Sequence, residues 1–342
     1  MLKIPTYETL KMPYFRNTTP SKVLFLTTED PSTIKAEPDY QNWMLPALIK
    51  ERGADVSLLC WRNPDLDATT ISAFDIVTFL WCNDYHLHPK SFPAFVESIL
   101  IPAQTLKPNI HIFNDPRIVL WNMDKHYLQD LAGAGFAIPR TEFIDLRKQT
   151  KNSLISTLSS FSESHPLVLK PAISSSAKMT HSIKTLESLT SEDSSFLDLV
   201  LTEGTSGDLI IQEYAENISQ GEYSLIFIDG THSHTILKTP QTGEFRCQAE
   251  FGGSTRELNR NEVPQGALET AQQLVRYIEE KFDAVSEEGS GKGLVYARID
   301  GIMRGEDFVL MEFEAIEPHL WLEADSCEKG MEELCKVFLQ AG

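Results

Sequence analysis

Two apolar segments near the C-terminal end, Leu294 to Asp300 and Phe308 to Glu314, carry charged residues inside otherwise hydrophobic runs. Their length and their β-branched and aromatic content fit a pair of strands. Strand side chains alternate between faces. One face is therefore expected to hold Val295, Ala297 and Ile299 with Val309, Met311 and Phe313, and the other Arg298 and Asp300 with Glu312 and Glu314. Three carboxylates and a guanidinium on one face repel and lose solvation unless a cation or an anionic ligand compensates them. Such an all-oxygen set suits Mg²⁺, which is commonly held by one or two carboxylates together with substrate phosphates. A solvated sheet face is the plainer alternative. Against it stand Met311, Phe313, Ala315 and Ile316, interleaved with the acids as in a half-buried strand.

Upstream, strands at Val23–Leu26, Val56–Cys60, Ile76–Leu80 and Ile110–Phe113 alternate with helices at about Asp39–Arg52 and Pro89–Ile101. That order predicts a parallel sheet covered on both faces. After Asn114-Asp115-Pro116 the pattern changes. A helix is expected from Asp124 to Gly133 with Lys125 in its first turn, and strands at Phe143-Ile144, Leu167–Lys170 and Leu209–Glu213. The Ser-rich stretch Ser153–Ser164 reads equally as helix or loop. Tyr223–Ile228 and Thr231–Lys238 flank Asp229-Gly230, a dipeptide suited to a two-residue hairpin turn. A helix over Pro264–Phe282 has Leu268, Ala271, Val275, Ile278 and Phe282 at spacings of three and four.

Charge narrows the function. The 342 residues include 49 acids against 30 Lys plus Arg, a formal charge of −19. This disfavours a broad nucleic-acid-binding surface, so an anionic ligand would have to meet a local cationic pocket. The five cysteines are scattered without metal-ligand spacing, as in a reduced, cytoplasmic chain. No segment is apolar for the roughly 20 residues that span a bilayer, and the start of the chain lacks a signal-peptide core. Neither a dinucleotide turn nor a P-loop is found: Gly133-Ala134-Gly135 follows a helix, and Gly291-Lys292 precedes a strand. One phosphate-binding candidate stands. Lys170 ends an apolar strand and opens onto Pro171 and a small-residue run with Ser174, Ser175 and Ser176, whose N–H and hydroxyl groups suit phosphate oxygens.

In sequence, a lysine after an α/β domain, a strand-lysine-loop, a further strand and the carboxylate hairpin resemble the ATP-grasp ligases. The likeness is to the bacterial-type glutathione synthetase branch and, within it, to the cyclo-ligases of cycloserine biosynthesis. Its most specific part is Tyr296-Ala297-Arg298-Ile299-Asp300 with Met311-Glu312-Phe313-Glu314-Ala315-Ile316-Glu317-Pro318. The resemblance implies an α/β protein, α+β in its C-terminal lobe, with a Rossmann-like parallel-sheet domain at 1–122, an ATP-grasp small lobe at 123–212 and a large lobe at 213–342. It implies ATP binding by Lys125, Lys170, Ser174, Ser175 and Ser176, with Gln212, Glu213, Tyr214 and Ala215 as the hinge whose backbone reads adenine and Glu222 at the ribose. Lys238, Arg246 and Arg298 take the catalytic positions near the γ-phosphate and acyl phosphate. Asp84, Tyr85, Gly252 and Gly253 take substrate-side positions, and Asp300, Glu312 and Glu314 those of the metal ligands.

The cofactors so implied are ATP and one or two Mg²⁺, with Mn²⁺ as a substitute, and the partners a small-molecule carboxylic acid and an amine. Nucleic acid and membrane are not expected, and homo-oligomers are common in that branch. The implied reaction forms a C–N bond through an acyl phosphate, within one molecule or between two, in peptide-like or specialised metabolism. A nucleotide-binding protein without turnover is the alternative, because Pro171 to Thr180 contains no glycine where the family loop is glycine-rich. Leu80 and Asn83 also replace the Arg and Trp that cyclo-ligase relatives carry before Asp84-Tyr85, which argues against the cycloserine precursor as substrate.

By plainer readings, the His86/His88 and His232/His234 pairs are not metal sites. Trp121, Phe136 and Trp321 are packing residues, and Cys82 is a small buried side chain.

Overall fold

The structure, a computed structural model, describes residues 20–29, 44–161, 166–175, 177–202, 208–248, 251–283, 293–322 and 328–341. It opens with β1 (Lys22–Thr27), α1 (Met44–Glu51), β2 (Asp55–Cys60), α2 (Ala68–Ser72) and β3 (Ile76–Trp81). Next come α3 (Ser91–Phe95), a π-helical turn (Val96–Leu100), α4 (Ile101–Leu106) and β4 (His111–Phe113). The strands form a parallel sheet in the order β2-β1-β3-β4. Val23 to Leu26 are fully buried on both faces, which is why these strands read as continuous apolar runs. The helix expected to start near Asp39 runs from Met44, and 39–43 lie outside the described residues.

A second unit comprises α5 (Pro116–Asn122), α6 (Tyr127–Gly133), β5 (Thr141–Ile144), α7 (Lys151–Phe161), β6 (Leu167–Pro171), β7 (His181–Ile183), α8 (Ser191–Thr202) and β8 (Leu209–Glu213). Its strands pair antiparallel in the order β5-β8-β6-β7. The Ser-rich stretch is helical as far as Phe161, because Leu154, Leu158 and Phe161 fall on one face and pack into the core beneath it. Lys125 does not lie in the first turn of a helix. Asp124 accepts from the His126 N–H at 3.1 Å, and α6 begins only at Tyr127, so the lysine sits in the preceding turn.

The third unit holds β9 (Glu222–Ile228), β10 (Thr231–Thr239), β11 (Ser254–Leu258), α9 (Gln265–Lys281), β12 (Tyr296–Arg304), β13 (Asp307–Glu314) and α10 (Glu328–Gln340). Its antiparallel sheet has the order β11-β10-β9-β12-β13. Asp229 (φ +46°) and Gly230 (φ +72°) make the expected β9–β10 turn.

The β12–β13 pairing corrects one expectation. Arg298 faces Glu314 and Asp300 faces Glu312, but Gly301 faces Leu310, so Met311 is a bulge residue. The bulge shifts the alternation by one: Phe308 and Leu310 join Phe313 in the core, while Val309 and Met311 group with Ile302, Tyr214 and Phe245. Gly301 is required here, since a Cβ would lie 2.2 Å from the Phe308 ring.

One face of the large sheet packs on α9 and α6 through Leu225, Phe227, Ala297, Ile299 and Phe313. The opposite face is divided along the strands. At one end Ile226, Ile228, Ile236 and Tyr296 meet α10 and the parallel sheet, where Phe25 stacks on Phe338 at 5.6 Å. At the other end lie Glu222, Ser224, Lys238, Arg298, Asp300, Glu312 and Glu314.

Asn114 joins the parallel sheet to this hairpin. Its amide donates to the Tyr296 and Ala315 carbonyls at 2.8 and 2.7 Å, and its Oδ1 accepts from the Val295 and Tyr296 N–H groups at 2.6 and 3.2 Å. Asn114→Ala leaves these buried groups unpaired and is expected to cost about 2–4 kcal/mol. Urea denaturation should show a lower midpoint with an unchanged slope. A shift too small to measure would rule out this residue as the joint.

Candidate active site

The strand register by itself assembles the charged cluster. Lys238 stands directly across from Glu222 and Asp300 from Ser224 and Glu312, while Arg298 stands across from Glu314. Lys238 Nζ lies 2.6 Å from Glu222 and 3.2 Å from Asp300. The Arg298 guanidinium donates to Asp300 at 2.9 Å and to Glu314 at 2.5 Å, and Ser224 Oγ donates to Asp300 at 2.5 Å. From the second unit, Lys125 Nζ reaches Glu312 at 3.1 Å and donates to the Ser174 carbonyl at 2.6 Å. Lys170 is half-buried, and among the described residues no acid lies within ion-pair distance of it.

Burial raises the cost of every charge here, and the neighbours decide the outcome. Desolvation works against Asp300, yet Arg298 and Lys238 hold its pKa at about 2. Burial pushes Glu314 up to about 8 against the pull of Arg298, and Glu312 and Asp300 add to the rise. Burial also raises Glu222 despite Lys238 beside it, and lowers Lys170 despite Glu312 nearby. The cluster is thus a set of acids forced together with cations threaded between them.

Asp300, Glu312 and Glu314 each offer a carboxylate oxygen within 4.8 Å of the others. An oxygen-only set at this spacing fits Mg²⁺ or Mn²⁺.

The remaining expected residues are distributed around this cluster. The Glu213 and Tyr214 N–H groups bond the Arg140 and Pro166 carbonyls, whereas among the described residues the Ala215 N–H has no partner. Gln212 is turned into the small sheet, donating to Thr141 at 2.9 Å, and Glu213 pairs with Arg304 at 3.0 Å. With Tyr214 and Ala215, the Ile302, Val309 and Met311 side chains form an apolar patch bordering the acids.

Ser174 spends its hydroxyl on the Pro171 carbonyl at 3.0 Å, Ser175 donates to Glu317 at 3.2 Å, and Ser176 lies outside the described residues. Arg246 is held in its own loop, bidentate to Glu244 and 3.7 Å from the centre of the Phe251 ring. Gly252 (φ +79°) and Gly253 turn that loop, and a Cβ on Gly253 would meet the Cys247 carbonyl oxygen at 2.2 Å.

The carboxyl ends of β1 and β3, the switch point of the parallel sheet, open toward the same region. Asp84 does not stand free there: it accepts from Trp61 Nε1 at 2.8 Å and pairs with Arg62, which donates to the Thr28 carbonyl at 2.7 Å. Tyr85 is buried, and Glu317, Glu314 and Glu312 act on its hydroxyl together with desolvation to raise its pKa. Cys82 is buried as expected.

Three site residues were not assigned from sequence. Ser224 was legible as an even-numbered polar position beside Glu222 on a strand. Glu317 lies in the hairpin's trailing run, and only the fold brings it to Ser175, Tyr85 and Cys82. Trp321 does more than pack: it stacks on His319 at 4.2 Å and lies 5.5 Å from the Arg298 guanidinium.

Burial pushes Glu317 up to about 7, against the favourable pull of Arg298 and Ser175. Between about pH 4.5 and 7 the folded chain therefore holds a proton that the unfolded chain releases, so this residue's contribution to stability falls as pH rises through that window. Glu317→Gln should remove that slope. In metal-free buffer the variant's melting temperature is expected to gain on the wild type's from pH 5 to 7.5, and parallel curves would refute the assignment.

Comparison with known proteins accords with this geometry. Residues 23–106 match the family model of the N-terminal domain of D-cycloserine synthetase DcsG, and residues 140–303 that of the prokaryotic glutathione synthetase ATP-grasp domain. The cycloserine biosynthesis protein DcsG of Streptomyces lavendulae is 25% identical over 201 residues, 58% of this chain and 62% of that protein. The match thus spans less than two thirds of this relative's length.

Among solved structures, D-cycloserine synthetase DcsG superposes with a TM-score of 0.69 at 21% identity, covering 94% of this chain and 99% of the other. The D-alanine–D-alanine ligase of Bacillus anthracis gives 0.61 at 12% identity, with 94% and 96% covered. The ATP-grasp ligase PsnB, in complex with a precursor variant, Mg and ADP, gives 0.57 at 13%, with 95% and 100% covered. At these identities the structural likeness is one of fold. The two family models thus give this chain an ATP-grasp domain of the prokaryotic glutathione synthetase type over residues 140–303, behind an N-terminal domain of the D-cycloserine synthetase type over residues 23–106.

Proposed function

We propose that the protein is an ATP-dependent ligase that activates a small-molecule carboxylate as an acyl phosphate for attack by an amine. The observation that carries this reading is the Asp300, Glu312 and Glu314 cluster ringed by Lys125, Lys170, Lys238 and Arg298 where the three units meet. The division proposed is 1–122, 123–212 and 213–342, with α10 returning to cover the parallel sheet.

Phosphoryl transfer needs positioning and charge neutralisation more than covalent help. Lys170, a half-buried cation without an acid at ion-pair distance among the described residues, is the residue for the nucleotide phosphates, with Lys125 beside it. The Ala215 N–H and the Met311, Ile302 and Tyr214 patch suit an adenine ring. Lys238, now paired to Glu222, turns to the γ-phosphate when Glu222 takes the ribose hydroxyls. Arg298, fixed by Asp300 and Glu314 and backed by Trp321, steadies the acyl phosphate and its tetrahedral successor. Asp300, Glu312 and Glu314 would hold Mg²⁺, which when bound offsets the carboxylate charge and polarises the phosphates. The acid enters from the switch point between Tyr85 and Glu317, with Gly252, Gly253 and Arg246 lining the loop on the opposite side.

The test is ADP release with ATP, Mg²⁺ and a pool of candidate acids and amines, with hydroxylamine added to capture the activated acyl group as a hydroxamate. ADP and hydroxamate formed together support the ligase. Nucleotide binding without either product supports a binding protein instead.

A further inference from the structure

Eleven arginines lie among the described residues, and nine of them make an ion pair with an Asp or Glu. Arg260 and Arg276 are the two that do not. In a chain whose acids exceed its bases by 19, two unpaired guanidiniums are the exception, and both line one concavity of about 330 Å³. Its other walls include His232 and the side chains of Gln265, Gln272 and Glu269.

The concavity lies away from the carboxylate cluster and shares no residue with it. Gln265, Glu269, Gln272 and Arg276 recur every three to four residues along α9, forming one stripe on that helix. Arg260 follows β11, and His232 opens β10. Gln272 Nε2 donates to the Gly230 carbonyl at 3.1 Å, and the His232 Nε2 lies 2.8 Å from Thr235 Oγ1, so both walls are fixed. Glu269 is the only acid of the lining and accepts from Gln265 at 2.7 Å. Burial and the Arg260 charge lower the His232 pKa to about 4, in keeping with a positive potential over the concavity.

We propose that this concavity is a second ligand site, which binds the phosphate group of a small metabolite between the Arg260 and Arg276 guanidiniums. Arginine presents a planar fork of donors that matches a phosphate in two-point contact. Glu269 would accept a hydroxyl of the same ligand, and the volume lies at the lower end of small-molecule sites. This proposal does not depend on the ligase reading.

The experiment is calorimetric titration of sodium pyrophosphate into the full chain in Mg²⁺-free buffer, at low and raised NaCl. Two variants are compared with the wild type: Arg260→Gln/Arg276→Gln and, at the nucleotide site, Lys170→Gln. Both arginines are exposed, so the double variant should keep the wild-type melting temperature.

The expected result is binding by the wild type and by Lys170→Gln, weakened at least tenfold in the double arginine variant and weakened by salt. Three outcomes overturn the proposal: no binding by the wild type, binding lost in Lys170→Gln but kept in the double arginine variant, or citrate bound as tightly as pyrophosphate.

Discussion

Glu312→Gln is expected to lower ligase turnover by roughly 10²–10³-fold, equivalent to about 3–4 kcal/mol of transition-state stabilisation, while leaving the chain folded. The substitution keeps the side chain's shape and removes the charge. That charge has two uses in this geometry. It is one of three carboxylates whose oxygens come within 4.8 Å of each other, and it holds Lys125 Nζ at 3.1 Å. Burial works to raise its pKa, but Lys125 and Lys170 keep it lowered and ionised, ready to meet a cation.

The measurements are ADP release and the melting-temperature gain on adding millimolar Mg²⁺ with ATP. Both should collapse in Glu312→Gln and persist in Glu306→Gln, an exposed acid in the β12–β13 turn. Equal turnover in Glu312→Gln and wild type would remove the hairpin from the chemistry.

Arg298→Met should give the largest loss of stability. The guanidinium is almost wholly buried and satisfies Asp300 and Glu314 together. Removing one partner of a buried ionic network strands the others, at about 3–5 kcal/mol. Here Glu314 loses its ion pair and Asp300 keeps only Lys238 and Ser224, with a third acid, Glu312, beside them. A divalent cation can replace the lost positive charge, so Mg²⁺ should raise the urea midpoint of the variant more than that of the wild type. Turnover should not return with stability, because the group that steadies the acyl phosphate is gone. If the variant unfolds at the wild-type urea concentration, the network is no more than a solvated surface feature.

Much of this site was legible from strand alternation. The even-numbered charges Arg298, Asp300, Glu312 and Glu314 were assigned to one face because period two leaves no other arrangement once the segments are strands. Lys170 was legible as the residue where an apolar strand ends. Alternation failed where the backbone departs from it: the bulge at Met311 moves that side chain out of the core and toward Tyr214 and Phe245. Pattern also misjudged Lys125, since the Asp124 turn delays the helix by three residues. The serines after Pro171 read as phosphate ligands, yet Ser174 and Ser175 are engaged by the Pro171 carbonyl and Glu317. Local composition does not say which partner a hydroxyl takes.

The sequence by itself determined the parallel sheet, the two hairpins and the presence of an acidic face that needs a cation. These follow from hydrophobic periodicity and turn chemistry, which act over a few residues. Only the tertiary structure decided which groups answer that face. Asn114 fixes the parallel sheet to the hairpin, so that Tyr85 and Cys82 come close to Glu317. Lys125 reaches Glu312 across nearly two hundred residues of chain, and Arg260 and Arg276 come to line one concavity away from it. The reason is the range of the forces. Alternation is a property of one strand, whereas the pairing of buried charges depends on which low-dielectric surfaces the whole fold brings together.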